Sequence, residues 1–393
     1  MPDLLSGIKV LDLTRFQAGP ACTLHLATYG AEVIKAESPG KGDPGRTALA
    51  LQGVPRNPYF LAMNHSKRSI TADYHHPDGL ELLLRLGASC DVVVENFRPG
   101  AADGLGLGYG HFKARNPKIV YASLSAFGEE GELAGAAGFD IHGQAMGGLM
   151  STTGDDGNAY PVGAAIADQL AGLTLVSAIL GALLARERQG FGQRVSVSLY
   201  GCQLSLQAWE IARYAMTGKL PGKGHNSHPT LRTLDTAWGS YATKDGYIVL
   251  DNMRGVQQQK LYRVLGLPDP GPGDPHVMPK LGEELEEIRR LLKERSTAEW
   301  LEAFHAEDVH VSKVNTYEDI VNDPQARANG YVEQVRDDAG NSYTILGPPI
   351  RFSETPARLR SMPPELGEHT EHVLGELGYS AEEIARLRES KAV

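Results

Sequence analysis

The sequence has 393 residues, of which 41% are hydrophobic and 22% are charged, and its formal net charge is -10. This length is sufficient for a two-domain globular protein with a substantial core. The negative charge argues against general binding to nucleic acid or to an anionic membrane. Cys22, Cys90 and Cys202 are scattered and show no metal-ligand spacing, so we expect reduced thiols and no metal site. The N-terminal residues lack the pattern of a secretory signal, which predicts a cytoplasmic protein.

The first 125 residues alternate between apolar strand patterns and helical patterns. In chain order, the predicted strands lie at residues 8–13, 31–37, 69–72, 91–96 and 118–124. This alternation is typical of an α/β fold and predicts an open, mostly parallel, Rossmann-like sheet. Ligands bind beyond the carboxyl ends of the strands in such sheets, which places residues 16–18 and 96–100 at the mouth of a crevice. The GxGxxG fingerprint is absent after the first strand, so a nucleotide-dependent dehydrogenase is poorly supported.

A single acid, Asp168, stands at the start of a long helical pattern. The apolar run at residues 172–185 is shorter than a membrane span, so we expect a buried core helix. The positive end of the helix dipole favours an ionised carboxylate, and an ionised carboxylate can act as a nucleophile. The same position also suits an acid that only accepts hydrogen bonds from the first N–H groups of the helix. The pattern alone leaves both roles open.

The remaining segments differ in composition from the alternating part. Residues 128–163 are glycine-rich without a regular period, which predicts an irregular loop. Residues 218–224 have the composition of a linker, and a smaller α+β domain is predicted for residues 218–330. A β-hairpin is predicted for residues 331–345. Ser380 opens a capping-box pattern, which predicts a C-terminal helix.

Several ordered motifs carry a resemblance to a known family. They are residues 10–37 (VLDLTRFQAGPACTLHLATYGAEVIKAE), 64–70 (NHSKRSI), 93–101 (VVENFRPGA), 138–148 (GFDIHGQAMGG), 166–173 (IADQLAGL) and 192–199 (GQRVSVSL). With these motifs the sequence resembles the family III CoA-transferases, the CaiB/BaiF-like superfamily of formyl-CoA transferase and L-carnitine CoA-transferase, over nearly the whole chain. The resemblance implies an enzyme that moves coenzyme A between carboxylic acids, with acyl-CoA as a substrate and no tightly bound cofactor.

The resemblance also implies an architecture. The family forms an interlocked homodimer, in which each chain makes a ring that is threaded by the other. Residues 1–217 would then be the N-terminal part of a large α/β domain that binds CoA, and residues 218–330 would be the small domain. Residues 331–393 would return to the large domain, which would be discontinuous.

The catalytic roles that the resemblance implies fall on three residues. Asp168 would attack the thioester of the donor, perhaps succinyl-CoA, to give a mixed anhydride. It would then carry CoA as a β-aspartyl thioester until the acceptor acid takes it. Gln17 matches a position whose amide points at the reacting acyl group, and Asp140 matches a polar or acidic position beside it.

An acidic protein needs local cations to bind the phosphates of CoA. Lys67 and Arg68 are the predicted phosphate ligands, and Arg98 is a further candidate. Asn96 and Phe97 match positions that contact CoA in the family and could hold its adenine and pantetheine parts.

Four residues are candidate substrate contacts, namely His142, Gln144, His228 and Arg232. Arg232 could pair with the distal carboxylate of a dicarboxylic substrate. The segment around His228 lacks the run of consecutive glycines found in formyl-CoA and oxalate-type transferases, so a formyl or oxalyl donor is not expected.

Two alternatives remain open at this stage. The first is an acyl-CoA isomerase or racemase of the same superfamily. Racemases of this superfamily have a histidine where Phe139 stands, and a phenyl ring cannot exchange protons, which disfavours that activity. The second alternative is a CoA-binding subunit of a hetero-oligomeric transferase.

Overall fold

A computed structural model of the chain describes residues 3–48, 50–54, 56–155, 157–220, 222–223, 237–251, 254–274, 281–337 and 339–393. The chain divides into two compact units. The first unit comprises Met1–Gly147, Gly163–Leu206 and Pro324–Val393, and the second comprises Gly148–Val162 and Gln207–Asp323.

These units differ from the predicted domains at their boundaries. Residues 148–162 and 207–217 belong to the second unit, although the sequence predicts both in the large domain. Residues 324–330 belong to the first unit rather than to the small domain. A linker composition marks where a chain can bend, whereas the units depend on which segments pack together, so the two divisions need not coincide.

The strands are listed in chain order. They are β1 (Lys9–Asp12), β2 (Glu32–Glu37), β3 (Arg68–Thr71), β4 (Val92–Glu95), β5 (Val120–Ser125), β6 (Arg194–Ser198), β7 (Gly239–Ala242), β8 (Tyr247–Leu250), β9 (Val311–Lys313), β10 (Val332–Arg336) and β11 (Ser342–Leu346).

The helices are numbered in the same way. They are α1 (Ala18–Thr28), α2 (Pro58–Asn64), α3 (Pro77–Ala88), α4 (Ala101–Gly104), α5 (Tyr109–Arg115), α6 (Asp140–Met146), α7 (Leu149–Thr152), α8 (Ile166–Gln189), α9 (Leu199–Leu206), α10 (Ala208–Thr217), α11 (Val256–Leu265), α12 (Glu283–Leu292), α13 (Thr297–Ala306), α14 (Tyr317–Asn322), α15 (Pro324–Ala328), α16 (Thr370–Glu376) and α17 (Ala381–Glu389). A 3-10 turn covers Pro44–Arg46.

The main sheet of the first unit has the strand order β3-β2-β1-β4-β5-β6, and every neighbouring pair is parallel. This is the strand order of the doubly wound Rossmann fold. The prediction of an open parallel α/β sheet is therefore confirmed. The order reverses between β1 and β4, so the crevice of the fold lies at the carboxyl ends of these two strands.

Both faces of this sheet are covered, which explains why its strands are apolar without alternation. Successive residues of a strand point to opposite faces. Val92 and Val94 accordingly pack into a core layer with α1 and α8, while Val93 packs into the opposite layer with α3. Val373 and Leu374 of α16 complete that second layer, so the C-terminal segment belongs to the core of the first unit.

Helix α8 has 24 residues and supplies the longest apolar segment of the core. By length and composition alone it could also cross a membrane. Its face with Ala171, Leu175 and Ile179 is fully buried against the sheet layer, as expected for a core helix. The helix ends at Gly190, whose φ of 82° is the left-handed conformation that favours glycine after a helix.

Residues 128–163 are not the irregular loop that the sequence predicts, because they contain α6 and α7. Glycine weakens a helix in isolation, but packing can outweigh that preference. A Cβ atom on Gly143 would lie 3.0 Å from the Cβ atoms of both Ala167 and Leu199. The glycine thus allows α6 to approach the start of α8 closely.

The second unit contains a sheet in the order β7-β8-β9, with antiparallel pairing throughout. Its core is made of aromatic and aliphatic side chains from this sheet and from α11 to α13, including Tyr241, Ile248, Leu261, Ile288 and Phe304. This is an α+β arrangement. In the first unit, β10 and β11 form the predicted antiparallel hairpin, and Ser380 caps α17 as its capping-box pattern predicts.

Four charged side chains are buried beneath the carboxyl end of the main sheet, and we refer to Asp12, Lys35, Asp43 and Lys67 as the buried ion cluster. Lys67 Nζ lies 3.1 Å from Asp12 Oδ2, and Lys35 Nζ lies 2.8 Å from Asp43 Oδ2. None of these side chains is more than 1% exposed. A single charge at this depth would cost several kcal/mol, so the members of the cluster stabilise the fold only together.

The pKa values in the cluster reflect these pairings. Burial by itself would raise the pKa of Asp12, but the ammonium groups of Lys67 and Lys35 outweigh burial and lower it to about 2. Burial lowers the pKa of Lys67 to about 8, against the attraction of Asp12. Asp12 is therefore ionised throughout the physiological range.

We expect Asp12→Asn to lower the free energy of unfolding by about 3 to 5 kcal/mol at pH 7, because it leaves buried ammonium groups without their carboxylate. The folded-state pKa of Asp12 lies below its ordinary value of 3.8, so its stabilisation is complete above that value and is lost as the pH falls towards 2. Thermal unfolding of both proteins at several pH values should show a difference that shrinks at acid pH. Glu81→Gln, at an exposed ion pair with Arg115, should change stability little. A difference between Asp12→Asn and the wild type that did not vary with pH would contradict this assignment.

Candidate active site

Asp168 lies in the first turn of α8, as the sequence predicts. The helix has no side-chain cap from its own N-cap residue, Ala165. Instead Asp140, the first residue of α6, reaches across: its Oδ1 accepts from the N–H groups of Ala167 at 2.7 Å and of Asp168 at 3.1 Å. The interpretation of Asp168 as a capping acid is therefore wrong, because Asp140 caps the helix.

The carboxylate of Asp168 accepts no hydrogen bond from any residue that the structure describes. The side chain is half-buried. Burial, and secondarily the neighbouring carboxylate of Asp140, raise the pKa of Asp168 from 3.8 to about 7. The result is a carboxyl group with free lone pairs that changes its charge near neutral pH.

Asp168 opens into a cleft at the carboxyl ends of β1, β4 and β5, with a volume of about 1130 Å³ including its open mouth. The walls come from the loop after β1, the loop after β4 and the segment before α6. Gln17, Asn96, Phe97 and Arg98 line the same cleft. Phe16, Ala18 and Pro99 also line it. The prediction that residues 16–18 and 96–100 lie at the mouth of a crevice is thus confirmed for every one of them except Gly100.

Gln17 is the N-cap residue of α1, and its side-chain amide bonds to none of the described residues. The amide is therefore available to a ligand. The preceding residue, Phe16, has a φ of 63°, in the left-handed region that a residue with a side chain rarely adopts. Such a conformation costs roughly 1 to 3 kcal/mol and is commonly found at functional sites. The ring of Phe16 meets that of Phe139 edge to face at 5.6 Å.

Helices α1 and α8 approach each other closely beneath the cleft. A Cβ atom on Gly172, one turn after Asp168, would lie 2.8 Å from the carbonyl oxygen of Ala18 and 3.1 Å from the Cβ of Ala21. In the structure, Gly172 admits the start of α1, which brings Gln17 and Asp168 to the same cleft.

Three predicted residues of α6 do not line the cleft. Asp140 uses Oδ1 to cap α8, and its Oδ2 accepts from Gln144 Nε2 at 2.6 Å. Gln144 is buried and also donates to the carbonyl oxygen of Ala164. His142 is exposed, and its Nδ1 accepts from the N–H of Phe139. In this structure Asp140 and Gln144 hold the start of α8, and His142 caps its own helix.

The predicted phosphate ligands Lys67 and Arg68 are both paired with carboxylates in this structure. Lys67 is fully buried and donates to Asp12, Asn64, Thr23 and the carbonyl oxygen of Pro20, so it cannot reach a phosphate in this structure.

Arg68 is bonded to the carboxylates of Glu32 and Glu376. Neither Arg68 nor Lys67 lines the cleft. The motif NHSKRSI identifies two adjacent basic residues, but their pairing depends on acids that are distant in the chain.

The cleft obtains its positive charge from other residues. Arg98 is exposed, lines the cleft and has no ion pair with a described residue, so its guanidinium remains a candidate for a phosphate. Arg15 was missed: its guanidinium bonds the hydroxyl of Tyr74 and lies over the rings of Tyr74 and Phe97, 5.7 and 5.1 Å from their centroids. Its position directly before the predicted crevice residues could have identified it.

Tyr59 is a second residue that sequence reasoning missed. Burial, together with the carboxylates of Asp168 and Asp43, raises the pKa of its phenol above the ordinary value. The hydroxyl is therefore a neutral hydrogen-bond donor near Asp168. Tyr59 lies in α2, and no local signal links it to Asp168 because the two are brought together by tertiary packing.

Two predicted substrate contacts, His228 and Arg232, lie outside the described residues. They stay predictions.

The chain is similar to known proteins over nearly its whole length. The model of CoA-transferase family III matches residues 5–370 of the chain. An acyl-CoA transferase from Fusarium pseudograminearum is 37% identical over 403 residues, covering 98% of this chain and 87% of the relative. A succinyl-CoA:glutarate CoA-transferase from Mus musculus is 33% identical over 390 residues, covering 98% and 88%. The crystal structure of a CaiB/BaiF family protein from Brucella suis has a TM-score of 0.84 and 34% identity, covering 96% of this chain and 100% of that one.

We expect Asp168→Asn to stabilise the ligand-free protein increasingly as the pH rises from about 4 to about 7. The folded-state pKa of Asp168 is raised, so its ionisation costs folding free energy in this interval, and the amide removes that cost. The gain has an upper bound of about 4 kcal/mol, since each pKa unit corresponds to about 1.4 kcal/mol and the side chain keeps some access to water. Thermal unfolding between pH 5 and pH 9 measures it, with Asp78→Asn at an exposed helix start as the control. A gain that is equal at all pH values would show that ionisation of Asp168 does not strain the fold.

Proposed function

Because this chain belongs to CoA-transferase family III, we propose that it moves CoA from an acyl-CoA donor to a carboxylic acid through covalent intermediates on Asp168. One observation carries the proposal: in a single cleft, a carboxylate without hydrogen bonds to described residues faces the same space as an amide that is equally free. A nucleophile needs unoccupied lone pairs, and an oxyanion needs a donor that is not already engaged.

The first half of the reaction transfers CoA to the enzyme. The carboxylate of Asp168 attacks the thioester carbonyl of the donor, the C–S bond breaks, and CoA leaves as a thiolate. A mixed anhydride between Asp168 and the donor acyl group remains. The thiolate then attacks the aspartyl carbonyl of the anhydride, which releases the donor acid as its carboxylate. The enzyme now holds CoA as a β-aspartyl thioester, so the thioester energy is retained.

The second half repeats these steps in reverse with the acceptor. The acceptor carboxylate attacks the carbonyl of the aspartyl thioester. CoA leaves as a thiolate, and a second mixed anhydride, between Asp168 and the acceptor, remains. The thiolate attacks the acceptor acyl carbon, which forms the new acyl-CoA and regenerates the carboxylate of Asp168. No net proton is exchanged, because carboxylates and thiolates replace each other at every step.

Gln17 is the proposed donor to the tetrahedral oxyanion that forms at the reacting acyl carbon. Its side-chain amide lines the cleft and is free of described partners. A preorganised donor is most effective where water is excluded, and half-burial of both Gln17 and Asp168 supports this role.

CoA binding is proposed for the part of the cleft beside the loop after β4. Arg98 has no ion pair within the described part of the chain, so its guanidinium can bind a phosphate, and Asn96 and Phe97 form the adjoining wall. Arg15 adds a second guanidinium, which is stacked on the ring of Phe97. A flat base could lie on this guanidinium. These residues replace Lys67 and Arg68 as the proposed cationic contacts.

Succinyl-CoA is the proposed donor, with a small dicarboxylic acid as acceptor. A relative of similar length is named a succinyl-CoA:glutarate CoA-transferase, which supports this substrate class. The proposed partner for the distal carboxylate is Arg232.

The chain is also proposed to act as an interlocked homodimer. Helix α8 buries one face against the sheet but leaves Leu173 and Leu184 on the other face 40% and 52% exposed. In the second unit, α10 has no buried residue, and Trp209 and Tyr214 are about half exposed. Exposed apolar faces of this kind support a protein partner, and a second copy of the chain is the proposed one.

We expect the wild-type protein mixed with succinyl-CoA to gain a mass equal to CoA less one water, located on the peptide with Asp168. Gln17→Ala should form this adduct about 100-fold more slowly, because the oxyanion loses a donor. Below pH about 7 the rate should fall, since protonated Asp168 is not nucleophilic. Intact-mass and peptide-mass measurements on rapidly quenched mixtures check these expectations.

Asp168→Asn is the matched control for the adduct, because it keeps the shape of the side chain and lacks the nucleophile. It should bind CoA and form no adduct. If the wild type forms none, exchange of the substrate α-proton with solvent deuterium would favour an isomerase or racemase. Binding of CoA without adduct or exchange would favour a non-catalytic subunit.

We expect light scattering to give the mass of two 42.4 kDa chains at every concentration tested. Because interlocked chains separate only on unfolding, tagged and untagged dimers should not exchange subunits under native conditions. Mixed dimers should form after joint unfolding and refolding. Exchange at native pH and temperature would contradict interlocking, and a single-chain mass would contradict the dimer itself.

A further inference from the structure

The loop between β1 and α1, residues 13–17, carries Gln17 and has almost no regular hydrogen bonding of its own. Its backbone is held instead by side chains of the buried ion cluster. Asp12 Oδ1 accepts from the N–H of Thr14 at 2.9 Å, and Lys35 Nζ donates to the carbonyl oxygen of Thr14 at 2.8 Å. Both side chains are fully buried, so these bonds are protected from exchange with water.

The next backbone groups are held in the same way. Asn96, in the loop after β4, accepts from the N–H of Arg15 at 2.9 Å and donates to its carbonyl oxygen at 2.8 Å. Asp43 Oδ1 accepts from the N–H of Phe16 at 3.1 Å. Every backbone polar group from the N–H of Thr14 to the N–H of Phe16 is thus bonded to a side chain.

The hydrogen bond from the N–H of Phe16 to Asp43 supports the most strained backbone conformation of the loop. Phe16 has a left-handed φ of 63°, which a residue with a side chain keeps only when its surroundings enforce it. Asp43 is itself held firmly: its Oδ1 also accepts from the N–H of Gly45 at 2.8 Å, and its Oδ2 is paired with Lys35. The carboxylate of Asp43 therefore connects the loop to the buried ion cluster.

Gln17 follows Phe16 directly and is fixed on its other side by α1. Its carbonyl oxygen accepts from the N–H of Ala21 at 2.8 Å, in the first turn of that helix. With its carbonyl held by the helix and Phe16 held by Asp43, the backbone of Gln17 has little freedom to turn. These two constraints set the direction of its amide, which has no partner among the described residues.

We propose that Asp43 is a positioning residue, which aims the Gln17 amide at the acyl group on Asp168 by holding the N–H of Phe16. The inference rests on the proposed function of the cleft and extends it to a residue that does not line the cleft. Asp43 uses one oxygen for the loop and the other for Lys35. An asparagine has only one acceptor oxygen, so it can bond either the N–H of Phe16 or the ammonium group of Lys35, but not both.

The test is a double-mutant cycle between Asp43→Asn and Gln17→Ala, measured as the rate of adduct formation with succinyl-CoA in single turnovers of the full chain. Asp43→Asn alone should lower the maximal rate about 10- to 100-fold, since small misplacements of a catalytic group have effects of this size. The succinyl-CoA concentration for half-maximal rate should change less than about threefold, because Asp43 does not contact the cleft. In the Gln17→Ala background, Asp43→Asn should change the rate less than about threefold.

Asp91→Asn is the matched control. Asp91 also uses one oxygen for a backbone N–H, that of Lys9 at 2.8 Å, and the other for a cation, Arg186 at 2.9 Å, but it lies at the amino end of β1 and β4, away from the loop of Gln17. Its effect on the rate should be the same factor with and without the Gln17 side chain. A general loss of stability would act similarly in both variants and would not produce coupling to Gln17 in one of them alone.

Equal effects of Asp43→Asn in both backgrounds, or an unchanged rate in the single variant, would overturn the positioning role while leaving the proposed function intact. Absence of any adduct in the wild type would overturn the proposed function and this role with it. If Asp43→Asn does not yield folded protein, Asp43→Glu is substituted in the cycle. It keeps a charge for Lys35 but moves the oxygen that accepts from Phe16, and the same coupling is expected.

Discussion

The mutual neutralisation of buried charges beneath the main sheet is the interaction on which the cleft depends. Asp12, Lys35, Asp43 and Lys67 have no usable contact with water, so each can stay ionised only beside the others. Their spare hydrogen-bonding capacity is directed at the backbone of the loop after β1. The wall of the cleft that carries Gln17 is therefore held by the same groups that would be most costly to leave unpaired.

A second feature is the division of roles between two neighbouring acids. Asp140 has both oxygens occupied, by two N–H groups of α8 and by Gln144. Asp168 has neither oxygen engaged by a described residue. Hydrogen bonds to the ionised form of an acid favour it, whereas burial without them disfavours it. The fold thus uses one carboxylate to hold the helix and keeps the lone pairs of the other free.

The basic residues likewise differ in whether acidic partners already engage them. Lys67 and Arg68 are adjacent in a motif that suggests a phosphate site, yet tertiary partners occupy both. Arg98 lies in the cleft without an ion pair to a described residue. Because acids that are distant in the chain can occupy a basic residue, a guanidinium at the mouth of a cleft without an ion pair to a described residue is more informative than a basic sequence motif.

The sequence determined the features that depend on local periodicity and local capping. The strand and helix alternation, the placement of Asp168 in the first turn of α8, the hairpin of β10 and β11 and the capping of α17 by Ser380 all follow from residues within a few positions of each other. Such patterns act through the geometry of the chain itself, which is the same wherever the segment lies. The resemblance of the motifs identified the family, which the family model over residues 5–370 confirms.

Tertiary structure alone decided which side chains are engaged and which are free. Asp140 caps α8 from 27 residues away, Lys67 pairs with Asp12 across 55 residues, and Gly172 admits the start of α1. The unit boundaries likewise depend on packing rather than on composition. A residue type and its neighbours in sequence determine what a side chain can bond. Only the fold brings partners within bonding distance, and it leaves Asp168 and Gln17 without a hydrogen-bond partner among the residues that the structure describes.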